Sequence, residues 1–360
     1  MTDKHHLLPT LSDAVPFSRP GTPGAHGPLA IGFVGLGAMG RPMARNLAHY
    51  RALHSPGAPP QLVWNRTISK AEKLVAELGE DKVQVAQTPG EIALECDIII
   101  TSLSGDEGVK AMYQQFAAAL QQSKPTRNKI FVDTSTIYPT LAGELDAIIS
   151  AIPHCHLVTA PVLGPPASAE DASLVICMSG DYRSKKELAH LLVPAVGRKV
   201  YDLGGNLEKA PTFKLIGNSI ILGSLEVLAE AFTMGEKSNI GQDMVYQFIK
   251  DMMPAPLLLA YGDKMLHDKF DGSKGFAIDG GIKDATHIRK LTAEHNSPMP
   301  VVDTAHQHLL TARALHAQAE RAGNATFPIL DWSALVAGTR AAAGLDALDS
   351  NKHSGLVRED

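Results

Sequence analysis

Residues 32–47 read Gly-Phe-Val-Gly-Leu-Gly-Ala-Met-Gly-Arg-Pro-Met-Ala-Arg-Asn-Leu and hold the spacing Gly35-x-Gly37-x-x-Gly40. Three glycines at that spacing are weak evidence alone; their flanks give them meaning. An apolar run over residues 29–34 enters the turn, and an amphipathic helical pattern leaves it. A helix that starts on such a turn points unpaired N–H groups, and the positive end of its dipole, at whatever lies on the glycines. Strand, tight glycine turn and helix together are the context of a dinucleotide pyrophosphate site. In this reading Gly35 permits the turn, Gly37 lets the backbone approach the phosphates, and Gly40 lets helix and strand pack closely. Leu36, Ala38 and Met39 complete the cradle. A glycine loop that merely joins two elements is the competing reading, and the fit of both flanks argues against it.

The rhythm of the chain extends the argument. Strand-like runs fall at 30–34, 61–65, 83–86, 97–102, 129–133, 156–160, 174–179 and 199–202, and helical patterns fall near 39–50, 69–78, 107–120, 140–152 and 182–193. Alternation of this kind predicts βαβ units and a parallel sheet covered on both faces. Ile98-Ile99-Ile100 has no polar alternation, as suits a strand buried on both sides. Past residue 203 the pattern turns helical: one long helix over about 207–238, then shorter ones broken at Pro254-Ala255-Pro256, Asn296-Ser297-Pro298 and Gly323-Asn324. The expected fold is α/β, with an N-terminal Rossmann-type doubly wound sheet, a long interdomain helix and an all-α C-terminal domain. The domains are a disordered arm at 1–28, a nucleotide-binding domain at 29–203, a helical substrate and dimerisation domain at 204–346 and a flexible tail at 347–360.

Composition narrows the function. The net charge of −5 and a charged fraction of 20% supply no basic stripe for nucleic acid and no cationic helix for a membrane surface. No apolar run approaches the length of about 20 that spans a bilayer. The arm is rich in Pro, Gly, His and Ser and lacks the continuous apolar core of a secretory signal, while Asp3, Asp13 and the single Arg19 disfavour a mitochondrial presequence. Cys96, Cys155 and Cys177 lie in or beside apolar segments without metal spacing, so they read as buried thiols in a reducing, cytoplasmic setting, and no metal is expected.

The second strand speaks to the choice of cofactor. It ends Val63-Trp64-Asn65-Arg66-Thr67-Ile68-Ser69, with no carboxylate to accept from the ribose hydroxyls of NAD. Arg66 offers a planar, bidentate donor for a 2′-phosphate, and Asn65 and Thr67 add neutral hydrogen bonds. These residues favour NADP, written NADPH in the reductive direction. A helix cap at Thr67 or Ser69 is compatible with that role. The segment His54-Ser55-Pro56-Gly57-Ala58-Pro59-Pro60 reads as a surface loop that lengthens the glycine-to-Asn65 interval.

Five segments, in order, resemble the β-hydroxyacid dehydrogenases, relatives of 3-hydroxyisobutyrate dehydrogenase and 6-phosphogluconate dehydrogenase. Residues 35–44 resemble their cofactor signature, Asp133-Thr134-Ser135-Thr136 their substrate-side motif, and Ala160-Pro161-Val162-Leu163-Gly164 their substrate loop. Lys214-x-x-x-Asn218 and Lys283-Asp284 resemble the catalytic and closing motifs. The resemblance implies that Lys214 is the general acid/base, with Asn218 one helical turn along the same face. An ammonium there stabilises the charge that builds on a carbonyl oxygen during hydride addition and donates a proton; the oxidative direction asks for the neutral amine. Otherwise Lys214 is a snorkelling lysine, which its apolar neighbours Phe213, Leu215 and Ile216 disfavour. Ser135 and Thr136 follow a strand's C-terminal end, where open α/β sheets bind ligands, and read equally as substrate contacts or as a helix N-cap. Leu103 and Ser104 read as cofactor contacts, as does Lys283 by the resemblance. Val162, Leu163, Gly164 and Asp284 belong to the implied substrate side.

Two departures stand out. The family's loop continues Ser-Gly-Gly after Pro-Val, whereas Leu163 removes the hydroxyl and Pro165 and Pro166 remove two N–H donors. The stretch from Ala169-Glu170-Asp171 through Leu174-Val175-Ile176 is closer to the glyoxylate and succinic semialdehyde reductase branch. Gly217 stands where an asparagine commonly precedes the catalytic one. The function expected is an NADPH-dependent oxidoreductase of a small aldehyde or keto acid, reversibly a 3- or 4-hydroxyacid, assembled as a homodimer through the helical domain. The alternatives are an imine reductase or reductive aminase, and a non-catalytic NADP-binding scaffold.

Overall fold

The computed structural model describes residues 14–18, 28–273 and 275–353. The chain divides into two compact units, Met1–Lys214 and Leu215–Asp360. In the first, β1 (Ile31–Val34), β2 (Gln61–Trp64), β3 (Val83–Val85), β4 (Ile98–Thr101), β5 (Lys129–Asp133) and β6 (Cys155–Thr159) are ordered β3-β2-β1-β4-β5-β6, with each neighbouring pair parallel. Helices α1 (Gly40–His54), α2 (Ser69–Leu78), α3 (Pro89–Glu95), α4 (Asp106–Gln122) and α5 (Pro139–Ser150) make the crossovers.

The isoleucine run explains why this sheet sits in the middle of its unit. Ile98 and Ile100 join one apolar layer with Phe33, Met43, Leu47 and Val132, while Ile99 joins a second with Val34, Phe116 and Phe131. Successive side chains of a strand point to opposite faces, so a continuous apolar run needs cover on both. Burying one such side chain is worth about 1.5–3 kcal/mol.

The far edge departs from the expected all-parallel order. β8 (Leu174–Gly180) runs antiparallel to β6, β7 (Val162–Leu163) runs antiparallel to β8, and β9 (Gly197–Asp202) is parallel to β8. Only a short helix, α6 (Pro166–Glu170), separates β7 from β8. A parallel return needs a crossover of about a dozen residues or more, so this short link turns the chain back beside itself. α7 (Tyr182–Leu192) lies between β8 and β9.

The arm also differs from expectation where it is described. Ala14, Val15 and Phe17 are buried in the first apolar layer. The Phe17 ring meets Tyr182 edge-on at 5.7 Å, and its carbonyl lies 3.0 Å from His190 Nε2. An apolar run too short to show periodicity can still dock on a preformed surface. The rest of the arm and residues 354–360 of the tail lie outside the described residues.

α8 (Lys209–Lys237) starts before the division between the units and runs on into the second. Its length and composition would suffice to cross a bilayer, which amends the expectation that no apolar segment comes near that length. More than half of its most apolar stretch is buried in protein, and the helix carries Lys214, Glu226 and Glu230. Buried Glu226 is held by His308, with Nδ1 at 2.7 Å. The second unit continues with α9 (Gln242–Met252), α10 (Pro256–Leu266), α11 (Ile278–Glu294), α12 (Pro300–Arg321) and α13 (Val336–Ala342). Polar clamps tie it together: fully buried Asp331 accepts from Lys264 Nζ at 2.9 Å and Phe276 N at 2.8 Å, and buried Arg340 pairs with Asp268 at 2.7 Å.

Candidate active site

The glycine turn assigns a different task to each glycine. Gly35 has φ +98°, and a Cβ there would meet Ser102 O at 2.2 Å; a Cβ on Gly40 would meet Gly35 O at 1.9 Å. Those two are demanded by the chain itself. Gly37 is not, for nothing lies within 4 Å of the position its Cβ would take. α1, which follows, carries no side-chain cap at its N-terminus. An uncapped helix start behind an open glycine suits an external anion, so the turn fits a dinucleotide. The residues that would hold it are those of the turn, with Arg66 and Thr67 from the end of β2 and Leu103 and Ser104 from the end of β4.

Asn65 has an internal task as well. Its Oδ1 accepts from Leu36 N at 2.9 Å and its Nδ2 donates to Thr67 O at 2.9 Å. The side chain thereby fastens the glycine turn to the end of β2. Arg66 and Thr67 are exposed beside it.

The ends of β4 and β5 are joined through Asp133. Its Oδ1 accepts from Thr101 Oγ1 at 2.9 Å, Ser135 Oγ at 2.7 Å and Ser135 N at 3.3 Å. Ser135 Oγ in turn accepts from Leu103 N at 2.9 Å. Burial pushes the Asp133 carboxyl up to about 6, against the pull of these three donors. The Ser135 hydroxyl thus donates to Asp133 and receives the Leu103 amide inside the sheet end, and α5 has no side-chain cap, so Ser135 does not cap that helix. Thr136 is half-buried next to it. The motif assigns Asp133 no role, although a carboxylate that closes the run Ile130-Phe131-Val132 must find donors or a cation, or protonate.

The loop after β6 is held by its surroundings. Val162 and Leu163, which form β7, pair with Ile176 and Val175 of β8. Gly164 has φ +140°, and a Cβ there would lie 2.8 Å from Leu174 Cδ2. Asn46 on α1 donates to Ala169 O at 2.8 Å, and Arg45 pairs with Glu170 at 2.7 Å, which fastens α6 to the cofactor helix. The sequence reading missed Arg45 and Asn46, because nothing local marks a helix surface as a clamp.

On α8, Lys214 is 9% exposed and lies close enough to buried Cys177 to oppose the burial that pushes that thiol up to about 11. One turn on, Asn218 Nδ2 donates to Asp284 Oδ2 at 2.6 Å, and Lys283 Nζ lies 3.1 Å from Asp284 Oδ1. Asn218 and the Lys283-Asp284 motif, 66 residues on, thus meet in one amide–carboxylate–ammonium cluster around buried Asp284.

A family model described as the NAD binding domain of 6-phosphogluconate dehydrogenase matches residues 30–205, and one described as NAD-binding of NADP-dependent 3-hydroxyisobutyrate dehydrogenase matches residues 209–326. The chain belongs to the β-hydroxyacid dehydrogenase family. This dehydrogenase-family enzyme is 27% identical over 308 residues to an NADH-dependent oxidoreductase of Aspergillus ustus, covering 85% of this chain and 98% of that one. It is 28% identical over 293 residues to glyoxylate/succinic semialdehyde reductase 1 of Arabidopsis thaliana, covering 80% and 93%. A solved structure of Mycobacterium tuberculosis 3-hydroxyisobutyrate dehydrogenase with L-serine shares the fold, with a TM-score of 0.67, 24% identity and coverage of 87% and 99%. The enzyme is accordingly an NAD(P)-dependent oxidoreductase of dehydrogenase type.

Proposed function

We propose that the protein is an NADPH-dependent reductase of a small aldehyde or keto acid, working reversibly as a 3- or 4-hydroxyacid dehydrogenase. The observation that carries this reading is the buried α8 face, where Lys214 precedes by one turn an asparagine already oriented by a carboxylate. A dinucleotide held on the Gly35–Gly40 turn would supply or accept the hydride. Lys214 stabilises the developing alkoxide and gives it a proton, or takes one from the hydroxyl in reverse. A carboxamide has two N–H bonds; Asp284 takes one from Asn218 and so fixes the direction of the other. Lys283 balances the buried carboxylate.

The preference for NADPH rests on Arg66 and on the lack of a carboxylate at positions 65–69. The Aspergillus ustus relative is an NADH-dependent oxidoreductase by name, so the choice rests on this chain's own residues. We further propose a homodimer through the helical unit, where Val227 and Met234 on α8 and Met244, Phe248 and Met252 on α9 are exposed, and a cytoplasmic setting in keeping with the three free, buried thiols.

The test is an NADPH-oxidation screen with glyoxylate, succinic semialdehyde, methylmalonate semialdehyde and cyclic imines. Turnover of an aldehyde acid that Lys214→Ala abolishes supports the proposal; turnover of imines alone transfers the enzyme to the imine reductases. No turnover, with dinucleotide binding intact, leaves a scaffold.

A further inference from the structure

The sheet end holds a buried carboxylate for which the reaction above has no use. Asp133 is 1% exposed, and its Oδ1 gathers all three of its donors, while among the described residues Oδ2 has no partner. The chain of contacts does not stop at Ser135. Its hydroxyl receives the amide of Leu103, and Leu103 and Ser102 abut the glycine turn: a Cβ on Gly35 would lie 2.9 Å from Leu103 Cδ2, and one on Gly40 3.2 Å from Ser102 Cβ. A carboxylate, a hydroxyl, a backbone amide and the cofactor turn therefore form one relay.

We propose that Asp133 is a positioning residue for dinucleotide binding, which it governs by orienting the Ser135 hydroxyl to hold the Leu103 backbone against the Gly35–Gly40 turn. A hydroxyl accepts best along its lone pairs, and Ser135 can turn one toward Leu103 only while its proton is aimed elsewhere. Asp133 Oδ1 supplies that direction. The relay needs an acceptor at Oδ1 rather than a full negative charge, and a proton has Oδ2 available to it, so neutralisation weakens the relay without breaking it. Among the described residues, the titratable groups that face Asp133 are both on α4: Asp106 in the first turn, whose charge disfavours ionisation of Asp133, and Tyr113, which reaches it through Thr101 Oγ1 at 3.4 Å.

The experiment titrates the full chain with NADPH and with NADH, following tryptophan fluorescence, since Trp64 closes β2 directly before Asn65. Ser135→Ala and Asp133→Ala are expected to raise Kd for both dinucleotides about 10-fold, the size of one lost hydrogen bond; in Asp133→Ala, kcat at saturating cofactor should change far less. Asp133→Asn, which keeps an acceptor in place, should restore Kd to within about 3-fold of wild type on the same scale. Wild-type affinity should weaken as pH falls below about 6, the value to which burial raises this carboxyl, and Asp133→Asn should lack that step. If Asp133→Ala does not fold, Ser135→Ala and Asp133→Asn carry the test. An unchanged Kd in Ser135→Ala, or equal losses in Asp133→Asn and Asp133→Ala, overturns the relay. A wild-type chain that binds neither dinucleotide would sink the cofactor reading itself; a wild type that binds, with variants that match it, sinks the relay alone.

Discussion

Asp133 and Asp284 are both sealed from solvent, yet their surroundings are opposite in kind. At the sheet end, Asp133 meets two hydroxyls and an amide, all neutral, and burial drives its carboxyl toward protonation. In the helical unit, Asp284 meets an amide and the Lys283 ammonium. Neutral donors leave most of the desolvation cost of a carboxylate standing, whereas a cation beside it offsets that cost. The two sites divide the labour accordingly. In the roles proposed above, the sheet end would arrange backbone against a cofactor, and the α8 cluster would arrange side chains around a reacting oxygen.

The hardest test of that division is Lys214→Ala. Loss of a general acid/base lowers kcat by about 100- to 10,000-fold. NADPH affinity, which belongs to the other site, should stay within a few-fold of wild type by equilibrium titration. A variant that loses both together would merge the two sites into one; unchanged turnover would remove Lys214 from the chemistry.

A second effect belongs to Asp133 and is read in stability rather than rate. The folded carboxyl titrates at about 6 against an ordinary 3.8, so the folded chain holds that proton more tightly than the unfolded one. The stabilisation stands in full below about pH 4 and is lost as pH rises through about 6, a span on the order of 3 kcal/mol. Urea melts at pH 4, 5, 6 and 7 should show this slope in wild type and a flatter one in Asp133→Asn. Identical slopes would mean that Asp133 is ionised throughout the range.

The same contrast governs how much of the molecule was legible in the sequence. The glycine spacing, the isoleucine run and the alternation of strands and helices carry periodic or positional signals, and the six-stranded parallel core follows from them. The β7–α6–β8 return carries none, since Val162-Leu163 is too short for a period and its direction depends on the length of the link. α3 was missed although the spelling Thr-Pro-Gly-Glu is a helix-start signature: Thr88 accepts from Glu91 N at 3.1 Å, and Glu91 Oε2 accepts from Gln87 N, one residue before the cap, at 2.7 Å. Lys214 and Asn218 could be paired by their spacing of four. Their link to Asp284 could not, because only the packed helical unit brings positions 218 and 284 together.

Asn218→Ala sharpens the view of the helical site. It removes the group that Asp284 orients, so kcat should fall about 10- to 100-fold, the range of a hydrogen bond that strengthens as charge develops. Asp284→Asn should reproduce part of that loss, because an amide facing an amide no longer dictates which way Asn218 points. Equal kcat in wild type and Asn218→Ala would reduce the pair to a structural clamp.

The smallest effect probes the edge of the sheet-end site. Arg66 is exposed at the end of β2, so solvent screens whatever it holds. A charge-assisted hydrogen bond to a 2′-phosphate is worth about 1.5–3 kcal/mol when sheltered and less here, so Arg66→Ala should raise KM for NADPH roughly 10-fold. KM for NADH, which lacks that phosphate, should stay put, and kcat should hold for both. The ratio of the two KM values then isolates Arg66 from Asp133: loosening the Leu103 loop weakens both dinucleotides alike, whereas losing Arg66 weakens only one. If Arg66→Ala leaves the preference for NADPH unchanged, or wild type uses NADH equally well, the preference for NADPH does not reside at the end of β2.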